Sequence, residues 1–261
     1  MNQRAFDVLG NIAIVNFSPE AKLKEKKEFA EKIIKENKPI KTVLEKKGKV
    51  KGRLRKIETV HLAGEKTKEV LYRENGCVFR FNVDSTYFSP RLSNERKDVA
   101  SKIKKDEEVL VLFAGVAPFS VVIAKNSKCK KVYSNEINKE ANKYAKLNIE
   151  LNNLKNRIEL VNGDFKKVAG VFKKVKRKFD IIVMPRPNLK ETFLKETFPL
   201  AKKGTRIFYY GFCKENEIKL VVEQIKEEAK KAKKKIKIVK RKVAGYVAPF
   251  KIRLRVDFVV L

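Results

Sequence analysis

Histidine is nearly absent from this chain, with His61 the single instance in 261 residues, and cysteine is scarce. Cys77, Cys129 and Cys213 form an odd, scattered set with no Cys-x-x-Cys pair. A disulfide framework needs paired cysteines and a Cys/His zinc site needs clustered ligands, so both are set aside and no metal is expected. Long apolar runs are missing as well. The longest, residues 109–124, is interrupted by Gly115, Pro118 and Ser120 and falls short of the about 20 residues that cross a bilayer. The first seven residues lack the apolar stretch of a secretory signal, so the expected location is cytoplasmic, with no membrane partner. Acid is in short supply too: 31 Asp and Glu stand against 63 Lys and Arg, a formal charge of +32.

A surplus on that scale repels itself unless a polyanion neutralises it, which makes nucleic acid the leading partner and an acidic membrane surface the second. Heat adaptation enriches Lys and Glu together; it accounts for many of the charges but not for a two-to-one imbalance. Hydrophobic residues make up 43% of the chain, enough for a core, and charged residues 36%. The length suits a domain of about 150 to 200 residues plus a smaller one.

Two grammars divide the chain. Residues 9–17 read as a strand, 21–35 as a helix with one apolar stripe, and 42–44, 60–62, 69–72 and 77–83 as short extended pieces split by glycines. This predicts a small α+β domain over residues 1–84. From residue 85 to 261, apolar strands at 109–113, 131–134, 158–161, 180–184 and 207–210 alternate with helical patterns at 117–125 and 139–152. That alternation predicts an α/β, doubly wound parallel sheet. Residues 236–239 and 253–260 read as a closing strand pair. The Lys-rich stretch 214–235 places Ile218, Val221, Val222, Ile225 and Ala229 at helical spacing, and reads as an amphipathic helix with a solvated face before it reads as a dedicated RNA-binding element.

Three consecutive strand ends carry features that suit a nucleoside. The first runs into Phe113-Ala-Gly-Val-Ala-Pro-Phe119, where Gly115 lets the backbone approach a ligand with no Cβ in the way. The second ends in Asn135-Glu136-Ile137-Asn138, placing a carboxylate about 20 residues beyond the glycine, where it can accept both hydroxyls of a ribose. The third ends in Asn162-Gly163-Asp164, and Asp164 can accept an adenine amino group. A nicotinamide enzyme is the rival, but its pyrophosphate usually needs a fuller Gly-x-Gly-x-x-Gly, and Ala117 stands where the second glycine would be.

Further segments resemble one known family. They are Gly10-Asn-Ile-Ala-Ile-Val15, Lys41-Thr-Val-Leu44, Arg55, His61-Leu-Ala-Gly-Glu65, Tyr87-Phe-Ser-Pro-Arg-Leu-Ser-Asn-Glu-Arg96, Phe113-Ala-Gly-Val-Ala-Pro-Phe119 and Tyr246-Val-Ala-Pro249. Together they resemble the archaeal and eukaryotic tRNA (guanine-N1)-methyltransferases, which methylate guanosine 37 beside the anticodon; Tyr87 to Arg96 is the most specific match. The resemblance covers nearly the whole chain and begins at the family's middle domain, so the small N-terminal domain of longer members is expected to be missing. It implies a class I Rossmann-like methyltransferase domain behind an RNA-contacting α+β domain. S-adenosylmethionine is the implied cofactor, tRNA the implied partner, and a monomer is expected.

For the site, the resemblance implies that Glu95 removes the N1 proton, Arg55 contacts O6 and Tyr87 positions the base. Phe113, Gly115, Val116, Glu136, Ile137, Asp164 and Pro185 are expected at the cofactor, and Arg91, Arg186 and Asn188 at the substrate. The plainer alternatives are an ion pair of Glu95 with Arg91 or Arg96, and phosphate binding by Arg55 among Lys51, Arg53 and Lys56. The fourth strand departs from the family: relatives continue into Asn-Leu-Pro, whereas this chain reads Val183-Met184-Pro185-Arg186-Pro187-Asn188. Pro185 replaces an asparagine whose amide would contact the base, so Arg186 or Asn188 substitutes for it, or the target is handled differently. That leaves room for a wyosine-type base at the same position. An aminocarboxypropyl transferase of wyosine biosynthesis and a non-catalytic RNA-binding protein with a degenerate nucleotide fold are the alternatives.

Overall fold

The computed structural model describes residues 6–51 and 56–261. In chain order the elements are β1 (Phe6–Leu9), β2 (Ile12–Val15), α1 (Leu23–Glu36), β3 (Thr42–Lys51), β4 (Lys56–Gly64), β5 (Glu69–Glu74), β6 (Cys77–Asn82), α2 (Ser93–Ala100), β7 (Glu108–Val111), α3 (Pro118–Asn126), β8 (Lys131–Glu136), α4 (Lys139–Leu151), β9 (Ile158–Asn162), α5 (Phe165–Lys174), β10 (Phe179–Met184), α6 (Leu194–Thr197), β11 (Ala201–Lys214), α7 (Ile218–Lys231), β12 (Ile236–Ala248) and β13 (Lys251–Val260).

The single strand expected over 9–17 is instead the second arm of a hairpin. Gly10 takes φ +55° at the turn, and a Cβ there would sit 1.9 Å from the Leu71 carbonyl oxygen, so only glycine lets β1 and β2 reverse against β5. Sheet order is β1-β2-β3-β4, and α1 lays Ala30 and Ile33 on Ala13, Val15, Val43 and Leu62. β3 and β4 run well past the short pieces expected, because their polar ends pair across the hairpin, Lys46 opposite Thr59 and Lys47 opposite Glu58.

The larger sheet has order β12-β13-β11-β10-β7-β8-β9. β11, β10, β7, β8 and β9 pair in parallel, while β13 lies antiparallel to both β11 and β12. Strand order reverses between β7 and β10, which is where an open α/β sheet leaves a crevice at the carboxyl ends of its strands. One face is covered by α2, α3 and α4, and the other by α5, α6 and α7. The hairpin β5–β6 falls before the expected boundary at residue 84, yet its contacts run both ways. Asn148 of α4 and Asn152 just beyond it accept from the Arg80 and Val78 amides at 2.7 and 2.9 Å, while Asn11 of the small sheet accepts from the Leu71 amide at 2.8 Å. Side-chain amides thus satisfy a sheet edge that would otherwise stay unpaired. Among the described residues no helix is long and apolar enough to cross a membrane.

Candidate active site

The turn after β7 is tightly wound: Phe113, Gly115 and Ala117 all take positive φ, at 53°, 59° and 65°. Such a turn aims several amides inward, and the Gly115 amide donates to Glu136 Oε2 at 2.7 Å. Glu136 Oε1 accepts from the Asn138 amide, also at 2.7 Å. The carboxylate is therefore fixed by backbone from two loops. A Cβ on Gly115 would press to 3.3 Å on the Tyr87 carbonyl oxygen. Asn138 caps α4 and donates to the Ser85 carbonyl at 2.9 Å, fixing the segment that leads to Tyr87.

Around this carboxylate a cavity is lined by Phe113, Gly115, Glu136, Ile137 and Pro185, five of the seven residues expected at the cofactor. The other two are placed differently. Val116 is fully buried, with its carbonyl bound to Asn148 at 3.0 Å, and Asp164 caps α5 by accepting from the Lys166 amide at 2.9 Å. Their neighbours Gly115, Gly163 and Phe165 take the wall instead. Phe165 and Phe193 were not singled out from sequence. With Phe113 they make an aromatic cluster, ring centroids 4.8 to 6.5 Å apart, on which an adenine ring can pack. A carboxylate for a ribose beside an aromatic wall fits the nucleoside half of S-adenosylmethionine. Replacing Glu136 by Gln should weaken cofactor binding by about 1 to 3 kcal/mol, the scale of a lost charged hydrogen bond; unchanged affinity by calorimetry would remove Glu136 from this role.

A second cavity, of about 430 Å³, opens between the small sheet and the carboxyl edge of the large one. Tyr87 lines both cavities. Arg91 and Asn188 line the second, as expected for substrate contacts; Arg91 stands exposed at the rim with Asp7 3.4 Å away. Arg186 requires a correction. It is buried and lines neither cavity; Nε donates to the Tyr210 carbonyl at 3.1 Å, and Nη1 to the carbonyls of Leu189, at 3.1 Å, and Glu191. Its guanidinium therefore shapes the loop from within, leaving Pro185 and Pro187 against the cofactor cavity and Asn188 in the second. Arg55 lies outside the described residues.

Glu95 is not a surface residue: it is 4% exposed and pairs with neither Arg91 nor Arg96. Arg96 instead forks onto Glu74, which pins the segment 89–96 to the β5–β6 hairpin. Tyr210, Arg255 and Lys242 are cross-strand neighbours on β11, β13 and β12, and all three converge on Glu95. Oε2 accepts from Arg255 Nη1 at 2.7 Å and from the Tyr210 hydroxyl at 3.2 Å, and Oε1 meets Lys242 Nζ at 2.5 Å. Burial, with the Glu95 charge added, pushes the Tyr210 hydroxyl well above the usual phenol range. Glu95 lines neither cavity, although Ser89, Pro90 and Arg91 of the same segment line the second. No group of three or more potential metal ligands occurs among the described residues.

Known families and solved structures match nearly the whole chain. A family model described as the TRM5/TYW2 methyltransferase domain matches residues 70–239, and one described as the TYW2 N-terminal domain matches residues 2–67. The tRNA (guanine(37)-N(1))-methyltransferase Trm5b of Pyrococcus abyssi is 35% identical over 255 residues, which is 97% of this chain and 74% of that one. Its crystal structure superposes with a TM-score of 0.85 over 98% of this chain and 74% of that chain. The tRNA (guanine(37)-N(1))/4-demethylwyosine(37)-methyltransferase Taw22 of Nanoarchaeum equitans is 32% identical over 300 residues, 97% of this chain and 98% of that one. A complex of aTrm5 with tRNALeu, 30% identical, superposes with a TM-score of 0.84 over 98% of this chain and 72% of that chain.

Proposed function

This chain belongs to the TRM5/TYW2 methyltransferase family, and on that premise we propose that it methylates N1 of guanosine 37 in tRNA, in the cytoplasm, using S-adenosylmethionine. The observation that carries this reading is the shared wall: Tyr87 borders both the cavity that fits a nucleoside and the cation-lined cavity beside it. A base seated in the second cavity would lie against the first, as direct transfer between the two requires.

S-adenosylmethionine, when bound, supplies an electrophilic methyl group. The chain's own residues do the rest. Glu136 holds the ribose hydroxyls, and Phe113, Phe165 and Phe193 pack the adenine. Guanine N1 carries a proton and is a poor nucleophile until a base removes it while a donor stabilises the charge growing on O6. Glu95 is the proposed base and Arg55 the proposed O6 donor. Tyr87 positions the base, Asn188 replaces the family asparagine, and Arg91 meets the RNA backbone at the rim.

Transfer of label from the cofactor to tRNA, followed by digestion and mass spectrometry of the nucleosides, tests this directly. The expected product is 1-methylguanosine at position 37. An aminocarboxypropyl adduct would move the chain to the other transferase activity, and no turnover at all would leave an RNA-binding protein. A second substrate, a wyosine-type base at the same position, is favoured by the replacement of the loop asparagine by Pro185 and by the likeness to a relative named for both activities. The same assay on tRNA carrying that base would detect it.

A further inference from the structure

Two arginines lie two residues apart on β13 and point to the same face of the sheet, yet only one of them has an anion. Arg255, opposite Tyr210, is fully buried and reaches Glu95, Asp98 and Asp257, all within 2.7 Å. Arg253, opposite Phe212, is 8% exposed, and among the described residues its side chain has no hydrogen bond and no ion pair. Its guanidinium lies over the Phe212 ring, 5.3 Å from the centroid, and both residues line the 430 Å³ cavity. No carboxylate among the described residues neutralises this guanidinium, and its place on the cavity wall leaves its donors available to an acceptor that enters.

The neighbouring strand leaves room for it. Pairing of β12 with β13 jumps from Val243↔Leu254 to Tyr246↔Ile252, so a bulge at Ala244 and Gly245 faces Arg253. Gly245 has φ +124° and empty space where a Cβ would be, and both small residues line the cavity. Bulges of this kind recur beside active sites, where they open or re-aim a wall. Among the described residues the cavity's charged groups are Lys46, Arg91 and Arg253 against Asp7, so it favours electron-rich acceptors.

Depth separates these cations. Arg91 is largely exposed at the rim, where the phosphates of an extruded nucleotide would pass, whereas Arg253 sits inside, where only the base reaches. A guanidinium fork with an aromatic shelf beneath it matches the paired acceptors O6 and N7 of guanine, a recurrent bidentate contact of arginine. We infer that Arg253 reads the O6/N7 edge of the target purine, stacked over Phe212, and so serves as a specificity-determining residue of the reaction proposed above. Reading that edge leaves N1 free to face Tyr87 and the cofactor cavity. An adenine at the same place would present an amino group to a donor, and would be rejected.

The test uses the full chain with tRNA carrying either guanosine or 7-deazaguanosine at position 37. Arg253→Met should lower kcat/KM on guanosine by roughly 5- to 150-fold, the usual worth of a bidentate arginine–purine contact. Removing N7 should slow the parent but cost the variant nothing further. Arg253→Lys keeps the charge and loses the fork, so it should behave like Arg253→Met; retention of near-parent activity by the lysine variant would point to a phosphate and overturn the inference. An equal penalty from N7 removal in parent and variant would overturn it too. Because no internal hydrogen bond or ion pair is broken and methionine can still pack on the Phe212 ring, Arg253→Met should melt close to the parent, and a large drop would make the residue structural. Failure of the parent to methylate guanosine 37 would count against the proposed function instead; the same comparison is then read from tRNA affinity.

Discussion

Replacing Glu95 by glutamine is expected to slow single-turnover methylation by about 10²- to 10⁴-fold, the usual worth of a general base, while binding of tRNA and cofactor barely moves. Glutamine keeps the size of the side chain and much of its hydrogen-bonding shape but cannot take the N1 proton. With no carboxylate left to take the proton, the pH profile of the variant should differ from the parent's and move toward the ionisation of guanine itself. The surroundings of Glu95 make the experiment sharper. Arg255 and Tyr210 fix Oε2 from the sheet below, whereas Oε1 meets Lys242, whose side chain is 37% exposed. The solvent side of the carboxylate is therefore Oε1, and a base entering from the cavity would have to displace Lys242 to reach it. If Glu95 serves only as an anchor for these cations, glutamine should instead lower the melting temperature, change the rate little and leave the pH profile alone. That pattern would return Glu95 to structure and turn attention to Asn188, which already lines the cavity.

The strand ends were legible in the sequence because a buried parallel strand is a continuous apolar run, and the chain must turn sharply as it leaves the sheet. Gly115 and Glu136 are both readable from that rule, and the hydrogen bond between them joins the two loops that the spacing had placed side by side. α5 was overlooked although Phe165, Val168, Ala169 and Phe172 keep helical spacing behind an Asp164 cap; lysines at 166, 167, 173 and 174 diluted the signal. Reading Asp164 as a cap would have found the helix. Phe193 and the partners of Glu95 were not legible at all. Arg255 lies 160 residues from Glu95, and only the sheet order brings β12, β13 and β11 beneath α2. Arg186 was misread because a cation in a loop suggests a ligand, and the sequence has no sign that three backbone carbonyls surround it.

Arg255 is where the structure should be most easily broken. Replacing it by methionine fills a similar volume but strands Glu95, Asp98 and Asp257 without their shared cation, and removing one partner from a buried ionic cluster typically costs about 3 to 5 kcal/mol. Only Lys242 and Lys102, both at the edge of the cluster, remain to offset the three carboxylates. The pH dependence separates this cause from simple loss of packing. In the parent, burial alone would raise the Asp98 carboxyl, but hydrogen bonds from Lys102 and Arg255 hold it down at about 2. A folded value below the unfolded one means that its contribution is complete above the ordinary carboxylate range and is lost as pH falls toward 2. Asp257 runs the other way, since burial raises its carboxyl despite Arg255. Without the guanidinium, burial prevails at these carboxyls, and groups whose folded values are raised cost stability at neutral pH that returns on acidification. Urea melts of parent and Arg255→Met from pH 7 down to about pH 4, the ordinary carboxylate range, should therefore converge as the stranded carboxyls take up protons. Parallel curves over that interval would mean that the loss comes from packing and that Asp98 and Asp257 do not depend on Arg255 for their charge.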